Sequence, residues 1–119
     1  MTVIAFFNKK GGVGSTTLAY YTCLRAHARG VAVAAMSIDP TQELRGRLAS
    51  TTIPVLGDDA VVNESEGLLV VDVHSRTVGE LPVSPDVWVL PITNRPSWER
   101  ACALSDALVG QIFWVINLR

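Results

Sequence analysis

Apolar residues in this chain follow two patterns, and each predicts a different kind of element. Unbroken apolar runs are typical of parallel strands that are buried on both faces. Such runs occupy residues 2–7, 31–38, 68–73, 86–92 and 111–117, and a shorter strand is expected within residues 53–56. Helical spacing predicts helices over residues 15–29, over residues 42–49, and from Ser97 to a stop at Gly110. Gly30 suits the position just after the first helix, where a left-handed backbone is common.

Strands and helices alternate through most of the chain, and this order predicts the fold class. Alternation with right-handed crossovers builds an α/β fold, a doubly wound parallel sheet. Ligands of such sheets bind at the carboxyl ends of the strands. Polar residues stand at several of these ends, namely Asn8, Asp39, Asp72 and Asn117. A ligand site is therefore expected beside them.

A glycine-rich segment follows the first strand and leads into the first helix. Residues 9–17 read KKGGVGSTT. Glycines let the backbone pass close to phosphate oxygens, and backbone N–H groups at the first turn of a helix point at a bound anion. The candidate nucleotide-binding residues are Gly11, Gly12, Val13, Gly14, Ser15, Thr16 and Thr17. The alternative is a tight turn with no ligand, which Lys10 and the two threonines disfavour. The pattern predicts a fold like that of the P-loop NTPases.

One position in this loop departs from the usual P-loop. Such loops place a lysine on the β and γ phosphates directly after the last glycine, and here that position holds Ser15. A lost charge-assisted contact weakens binding by about 1.5–3 kcal/mol, and it costs more in a transition state that develops charge at the phosphate. ATP hydrolysis is therefore in question, and tight ATP binding is expected to be weakened.

A nucleoside triphosphate site also needs groups that manage a metal ion and a water molecule. It needs a hydroxyl on Mg²⁺, an acidic residue for the metal or its water shell, and a group that orients the attacking water. Thr16 and Asp72 are the candidate metal residues, and Asp39 is placed to orient water. A lone aspartate at a strand end is more often a cap. The metal role of Asp72 is favoured only because Asp72 follows a glycine loop in the sequence, as the acidic residue of a nucleotide site would.

The glycine segment resembles the deviant Walker A motif of the ParA/MinD family of partitioning and positioning ATPases. That motif is KGGxGK[ST][ST], and every specified position matches except the second lysine. The resemblance implies that Lys10 is the family's signature lysine, which reaches the phosphates of a partner protomer in a nucleotide-sandwich dimer. It also implies that Asp39 and Pro40 begin a switch segment whose aspartate positions water, although Thr41 intervenes before Gln42. Lys10 and Asp39 are thus the candidate catalytic residues.

The resemblance covers nearly the whole chain but is specific only in the loop. Residues 69–72 resemble the Walker B strand, and residues 87–91 resemble the family's next strand, which commonly ends in proline. Asn117 lies where several relatives place a residue that contacts adenine, and closing a strand or capping a turn is at least an equal alternative. The segment of residues 40–67 is shorter than the same segment in most relatives. The chain stops at Arg119, where relatives continue. A compact or truncated protein is expected.

The resemblance implies a protein that binds ATP or ADP with Mg²⁺ and forms a nucleotide-dependent homodimer. Its role would be DNA partitioning, of a plasmid or a chromosome, or intracellular positioning. The implied partners are a ParB-like adaptor protein and nonspecific DNA. One alternative, for which Ser15 is the argument, is a nonhydrolysing pseudo-ATPase that serves as a binding or scaffold module. Another is a small-molecule kinase or ligase, for which no second substrate site is visible in the sequence.

Composition narrows the choice of function class. With 119 residues, of which 49% are hydrophobic, the chain is expected to form one domain over residues 1–119. A net charge of −1 provides no general attraction for polyanions and disfavours a stand-alone DNA-binding domain. No apolar run approaches the roughly 20 residues of a membrane span, and no signal peptide is recognisable. A cytoplasmic protein with no transmembrane segment is expected.

Three further expectations concern single residue types. Cys23 lies in a helical pattern without metal-ligand spacing and is expected to be a buried free thiol. Trp88 is expected to pack in the core or against a partner. Arg45 and Arg47 form a small basic cluster on the second helix, where a solvated face is expected and nonspecific DNA contact is the lesser alternative.

Overall fold

The computed structural model describes residues 2–7, 15–38, 42–57, 67–73, 84–92 and 111–116. These residues form six strands and two helices. They are β1 (Thr2–Phe7), α1 (Ser15–Ala28), β2 (Val33–Ile38), α2 (Glu43–Leu48), β3 (Val55–Leu56), β4 (Leu68–Val73), β5 (Val87–Ile92) and β6 (Gln111–Ile116). Each strand predicted from an apolar run is confirmed, with bounds that differ by up to two residues. The helix predicted from Ser97 lies outside the described residues.

All six strands belong to one parallel sheet with the order β3-β2-β4-β1-β5-β6. In the sheet, β2, β3 and β4 lie on one side of β1, whereas β5 and β6 lie on its other side. The direction of winding therefore reverses beside β1, which is the point where doubly wound sheets bind ligands. The predicted α/β, doubly wound class is confirmed.

The two faces of the sheet are both buried, which explains why the strands read as unbroken apolar runs. On one face α1 packs through Ala19 and Cys23, and α2 packs through Leu44 and Leu48. The opposite face carries a second core cluster made of Val3, Ala5, Met36, Leu69, Val71, Val73, Trp88 and Leu90. Trp88 is 1% exposed, so its predicted place in the core is confirmed.

The carboxyl end of α1 is closed by a glycine turn. Gly30 has a φ of +79°, in the region that favours glycine. Its N–H donates to the His27 carbonyl at 3.1 Å, and the Val31 N–H donates to the Ala26 carbonyl at 3.0 Å. This pair of bonds is the Schellman pattern predicted by the position of Gly30. Because Val31 takes part in the cap, β2 begins at Val33 and not at residue 31.

The start of α2 differs from the prediction. The sequence pattern places Gln42 inside the helix, but its φ of 53° puts it in the left-handed region, so the helix begins at Glu43. The side-chain amide of Gln42 donates to the Ser37 carbonyl at 3.0 Å and so ties this turn to the end of β2. The local hydrogen bond offers the backbone an alternative to helix at this residue.

Candidate functional site

The glycine loop itself falls largely outside the described residues. Residues 8–14, which include Lys10, Gly11, Gly12, Val13 and Gly14, are not among them, and neither are Asp39 and Asn117. Their proposed roles stay predictions. The structure does show the loop's two anchors, since β1 ends at Phe7 and α1 begins at Ser15. The described part of the candidate site is therefore the first turn of α1 and the strand ends beneath it.

A buried hydrogen bond joins the two candidate metal residues. Thr16 lies in the first turn of α1, and its hydroxyl donates to Oδ2 of Asp72 at 2.7 Å. Thr16 is 5% exposed and Asp72 is fully buried. Asp72 lies near the end of β4, which pairs with β1 in the sheet. A buried carboxylate requires hydrogen-bond partners, and the first turn of α1 supplies one.

This hydroxyl and carboxylate have the chemistry that Mg²⁺ prefers. Mg²⁺ binds oxygen ligands and usually combines one or two protein carboxylates with phosphate oxygens and several waters. No group of three or more histidine, cysteine, aspartate or glutamate residues that could hold a metal occurs among the described residues.

Sequence reasoning missed Ser37, which lies next to this pair. Ser37 is paired with Asp72 in the β2–β4 register, so both side chains lie on the face that α1 covers. It is 4% exposed, and its hydroxyl has no hydrogen-bond partner within the described part of the chain. A serine in an otherwise apolar strand was the available signal. A buried hydroxyl without a partner is costly, so its position suggests a polar ligand.

The two arginines of α2 behave differently from each other. Arg45 is exposed and contacts Gln42 and the Leu56 carbonyl, in agreement with the predicted solvated face. Arg47 is partly exposed, in line with that prediction, and it also contacts α1. Its Nη1 donates to the Thr17 hydroxyl at 3.1 Å, and its Nη2 lies 2.9 Å from Glu43 Oε1. Arg47 therefore connects α2 to the first turn of α1.

The amino end of α1 has the electrostatics of an anion site. The first four backbone N–H groups of a helix have no partner within the helix, and the helix dipole places partial positive charge there. Natural helices often carry an acidic residue in the first turn, but α1 has none. The basic group of Arg47 lies beside this end. An anion bound here would be stabilised by both features.

Cys23 takes no part in this chemistry. It is fully buried in α1, and its thiol is free of any disulfide, as predicted. Burial raises the pKa of the Cys23 thiol to about 12. The thiol is therefore protonated at neutral pH and is not a nucleophile.

Comparison with known proteins supports the fold. No protein-family model matches the chain, and no curated protein matches it by sequence. The crystal structure of a candidate plasmid partition protein from Borrelia burgdorferi B31 bound to AMPPNP superposes with a TM-score of 0.71. The match covers 97% of this chain and 75% of that one at 12% identity. No helix in the described residues is long and apolar enough to cross a membrane. The chain therefore has an α/β parallel-sheet fold similar to that of the Borrelia burgdorferi protein.

Proposed function

We propose that this chain binds an adenine nucleotide together with Mg²⁺ at the turn between β1 and α1. The observation that carries the proposal is the 2.7 Å hydrogen bond between Thr16 and Asp72. It brings together, at the carboxyl edge of the sheet, the two residues chosen from the sequence as metal ligands. The glycine-rich sequence before α1 and the AMPPNP-bound protein with a similar fold support the same conclusion.

The nucleotide is proposed to act as a switch for self-association. By resemblance to the ParA/MinD family, Lys10 would reach the phosphates of a second protomer, and Asp39 would orient water for hydrolysis. Asn117 would contact the adenine base. The proposed setting is DNA partitioning or intracellular positioning in the cytoplasm, by a single domain over residues 1–119. A ParB-like adaptor and nonspecific DNA are the proposed partners.

A second candidate function keeps the nucleotide site but removes turnover. In this alternative the chain is a nonhydrolysing pseudo-ATPase whose fold serves as a binding or scaffold module. The specific observation in its favour is Ser15, which stands where a lysine ordinarily contacts the β and γ phosphates. The two candidates share binding and differ only in phosphate release.

The test is calorimetric titration of ATP and ADP, with and without Mg²⁺, followed by measurement of phosphate release. We expect binding that Mg²⁺ strengthens in the wild-type protein. Release of phosphate would favour the switch ATPase, and its absence would favour the pseudo-ATPase. No binding at millimolar ATP would refute both.

Two threonines of α1 provide a matched pair of variants for this titration. Thr16→Val removes the proposed metal ligand, and we expect it to abolish the Mg²⁺-dependent part of ATP affinity. Thr22 lies in the same helix, but its hydroxyl donates to the Leu18 carbonyl of that helix at 2.7 Å and not to Asp72. Thr22→Val should leave the Mg²⁺ dependence unchanged. Equal effects of the two changes would argue against a metal role for Thr16.

A further inference from the structure

We propose that Arg47 of α2 supplies the phosphate-binding cation that the glycine loop lacks at Ser15. This inference rests on the proposed nucleotide function and assigns a residue to it. The loop sequence has no lysine directly after its last glycine. The structure places a guanidinium at the same helix end, from a different element of the fold.

The contacts of Arg47 fix its side chain at the first turn of α1. Its Nη1 donates to the Thr17 hydroxyl at 3.1 Å, in the turn whose backbone N–H groups are predicted to hold the phosphates. The guanidinium carbon lies 6.0 Å from the centre of the Tyr20 ring, one helical turn further on. The aromatic ring and the threonine together hold the planar group beside the helix end.

A cation in this place is electrostatically unfavourable unless an acidic side chain or a bound anion lies beside it. The amino end of a helix carries partial positive charge, so basic groups are stabilised at the other end. In the structure, Glu43 is the acidic partner that Arg47 contacts, at 2.9 Å. A phosphate at the start of α1 would contact both the helix end and the guanidinium. The arrangement is thus more favourable with a bound anion than without one.

The ion pair with Glu43 can be exchanged for a phosphate at little cost. The side chains of Arg47 and Glu43 are 36% and 47% exposed. Exposed pairs at this spacing on a helix contribute only about 0.3–0.5 kcal/mol. Arginine binds phosphate through two parallel N–H donors, and such charge-assisted contacts are about twice as strong as neutral hydrogen bonds. The exchange therefore favours the phosphate.

A second observation, independent of the helix end, points to a ligand at this edge of the sheet. Ser37 faces α1 beside Asp72, is 4% exposed, and has a hydroxyl with no hydrogen-bond partner among the described residues. A metal-bound water or phosphate oxygen near Asp72 would satisfy it. Polar groups of β2, β4 and α1 thus lie together one residue from Thr17, which Arg47 contacts.

The experiment compares nucleotide affinity in three variants of the full chain. Arg47→Gln removes the charge and keeps a hydrogen-bond donor, and Arg47→Lys keeps the charge. Arg45→Gln is the matched control, because Arg45 lies on the same helix, is exposed, and donates to Gln42 and not to Thr17. Affinities for AMP, ADP and ATP are measured by calorimetry at low and high salt. Thermal unfolding checks that each variant is folded.

We expect Arg47→Gln to lower ATP affinity by about tenfold to a hundredfold. The loss should grow from AMP to ATP and shrink at high salt, because a cation acts through phosphate charge. Arg47→Lys should retain most of the affinity, and Arg45→Gln should match wild type. An equal loss for AMP, ADP and ATP would mean that Arg47 only holds α2 in place and would overturn the inference.

The wild-type protein separates failure of this inference from failure of the proposed function. If wild type binds ATP and Arg47→Gln binds it equally well, the inference is wrong and the nucleotide function stands. If wild type binds no nucleotide, both are wrong. Ser15→Lys provides a further readout, since a lysine at that position should restore ATP affinity in the Arg47→Gln background. If wild type binds ATP but Ser15→Lys does not restore ATP affinity to Arg47→Gln, then Arg47 does not take the role of the missing loop lysine.

Discussion

The hydrogen bond between Thr16 and Asp72 shows how a fully buried carboxylate is accommodated. Each residue is identifiable in the sequence as a candidate metal ligand, but their contact depends on β4 lying directly beside β1. The bond fixes the orientation of the carboxylate. A preoriented ligand loses less entropy on binding a metal.

Ser37→Ala is predicted to change stability and binding in opposite directions. Removing a buried hydroxyl that has no partner in the described part of the chain should raise the free energy of unfolding by about 1 kcal/mol. The same change should weaken Mg²⁺-dependent ATP binding. Urea unfolding and calorimetry measure the two effects. Ser50→Ala, at an exposed serine, is the control and should change neither. A destabilised Ser37→Ala would show that the hydroxyl has a partner.

Predictions about the burial of single residues were correct where the position of the residue in an apolar pattern determines its burial. Cys23 and Trp88 are buried because they fall on core positions of a helix and a strand, which apolar patterns reveal. Arg47 could not be placed this way. Its contact with Thr17 depends on how α2 packs against α1, and the spacing within α2 does not record that. Ser37 was also missed, because it lies within an otherwise apolar run.

The segment before β4 passes close to the backbone that leads into β2. Gly67 has a φ of +132°, and a Cβ on it would lie 2.6 Å from the Ala32 carbonyl oxygen. Backbone hydrogen bonds surround this residue: the Leu68 N–H donates to that same Ala32 oxygen, and the Thr2 N–H donates to the Gly67 carbonyl, each at 2.9 Å. Glycine is required here because a side chain would displace the amino ends of three strands.

Gly67→Ala is therefore predicted to destabilise the fold by about 2 kcal/mol or more, from left-handed backbone strain and the close contact. Gly46→Ala is the matched change, since Gly46 lies in α2 with open space around its Cβ position. It should stabilise the protein by about 0.5–1 kcal/mol, because alanine favours helix. Chemical denaturation measures both. Similar effects of the two changes would contradict the steric account of Gly67.

Element positions were more predictable than element limits. The continuous runs identified β1, β2, β4 and β5, because these strands carry buried side chains on both faces. The start of α2 was wrong by one residue, since Gln42 adopts a left-handed backbone and donates its amide to the end of β2. That conformation accompanies a side-chain contact with the end of β2, which the periodicity of apolar residues does not record.

At the scale of the whole molecule, the sheet order places β1 between β4 and β5, with the candidate site at the reversal of winding. The alternation of elements predicted the doubly wound class. The order of the strands within the sheet was not predicted, because a pattern of runs does not specify which strands become neighbours. The structural match with an AMPPNP-bound protein agrees with this architecture.

Lys10→Ala is predicted to abolish ATP-dependent dimer formation while leaving the monomer folded. The reason is the proposed reach of Lys10 to the phosphates of a second protomer. Sedimentation velocity with and without MgATP measures association, and Lys9→Ala is the control that removes the same charge from the neighbouring position. Unchanged association of Lys10→Ala would reject the sandwich dimer.

The central place of β1 also constrains how the chain folds during synthesis. Thr2 pairs with Leu68, and Ile4 pairs with Val87, so both neighbours of β1 are made long after β1 itself. Non-local pairings of this kind slow folding and leave apolar strands exposed in the meantime. Until residues 68–73 leave the ribosome, this strand has no native edge to join, and its apolar side chains stay open to aggregation.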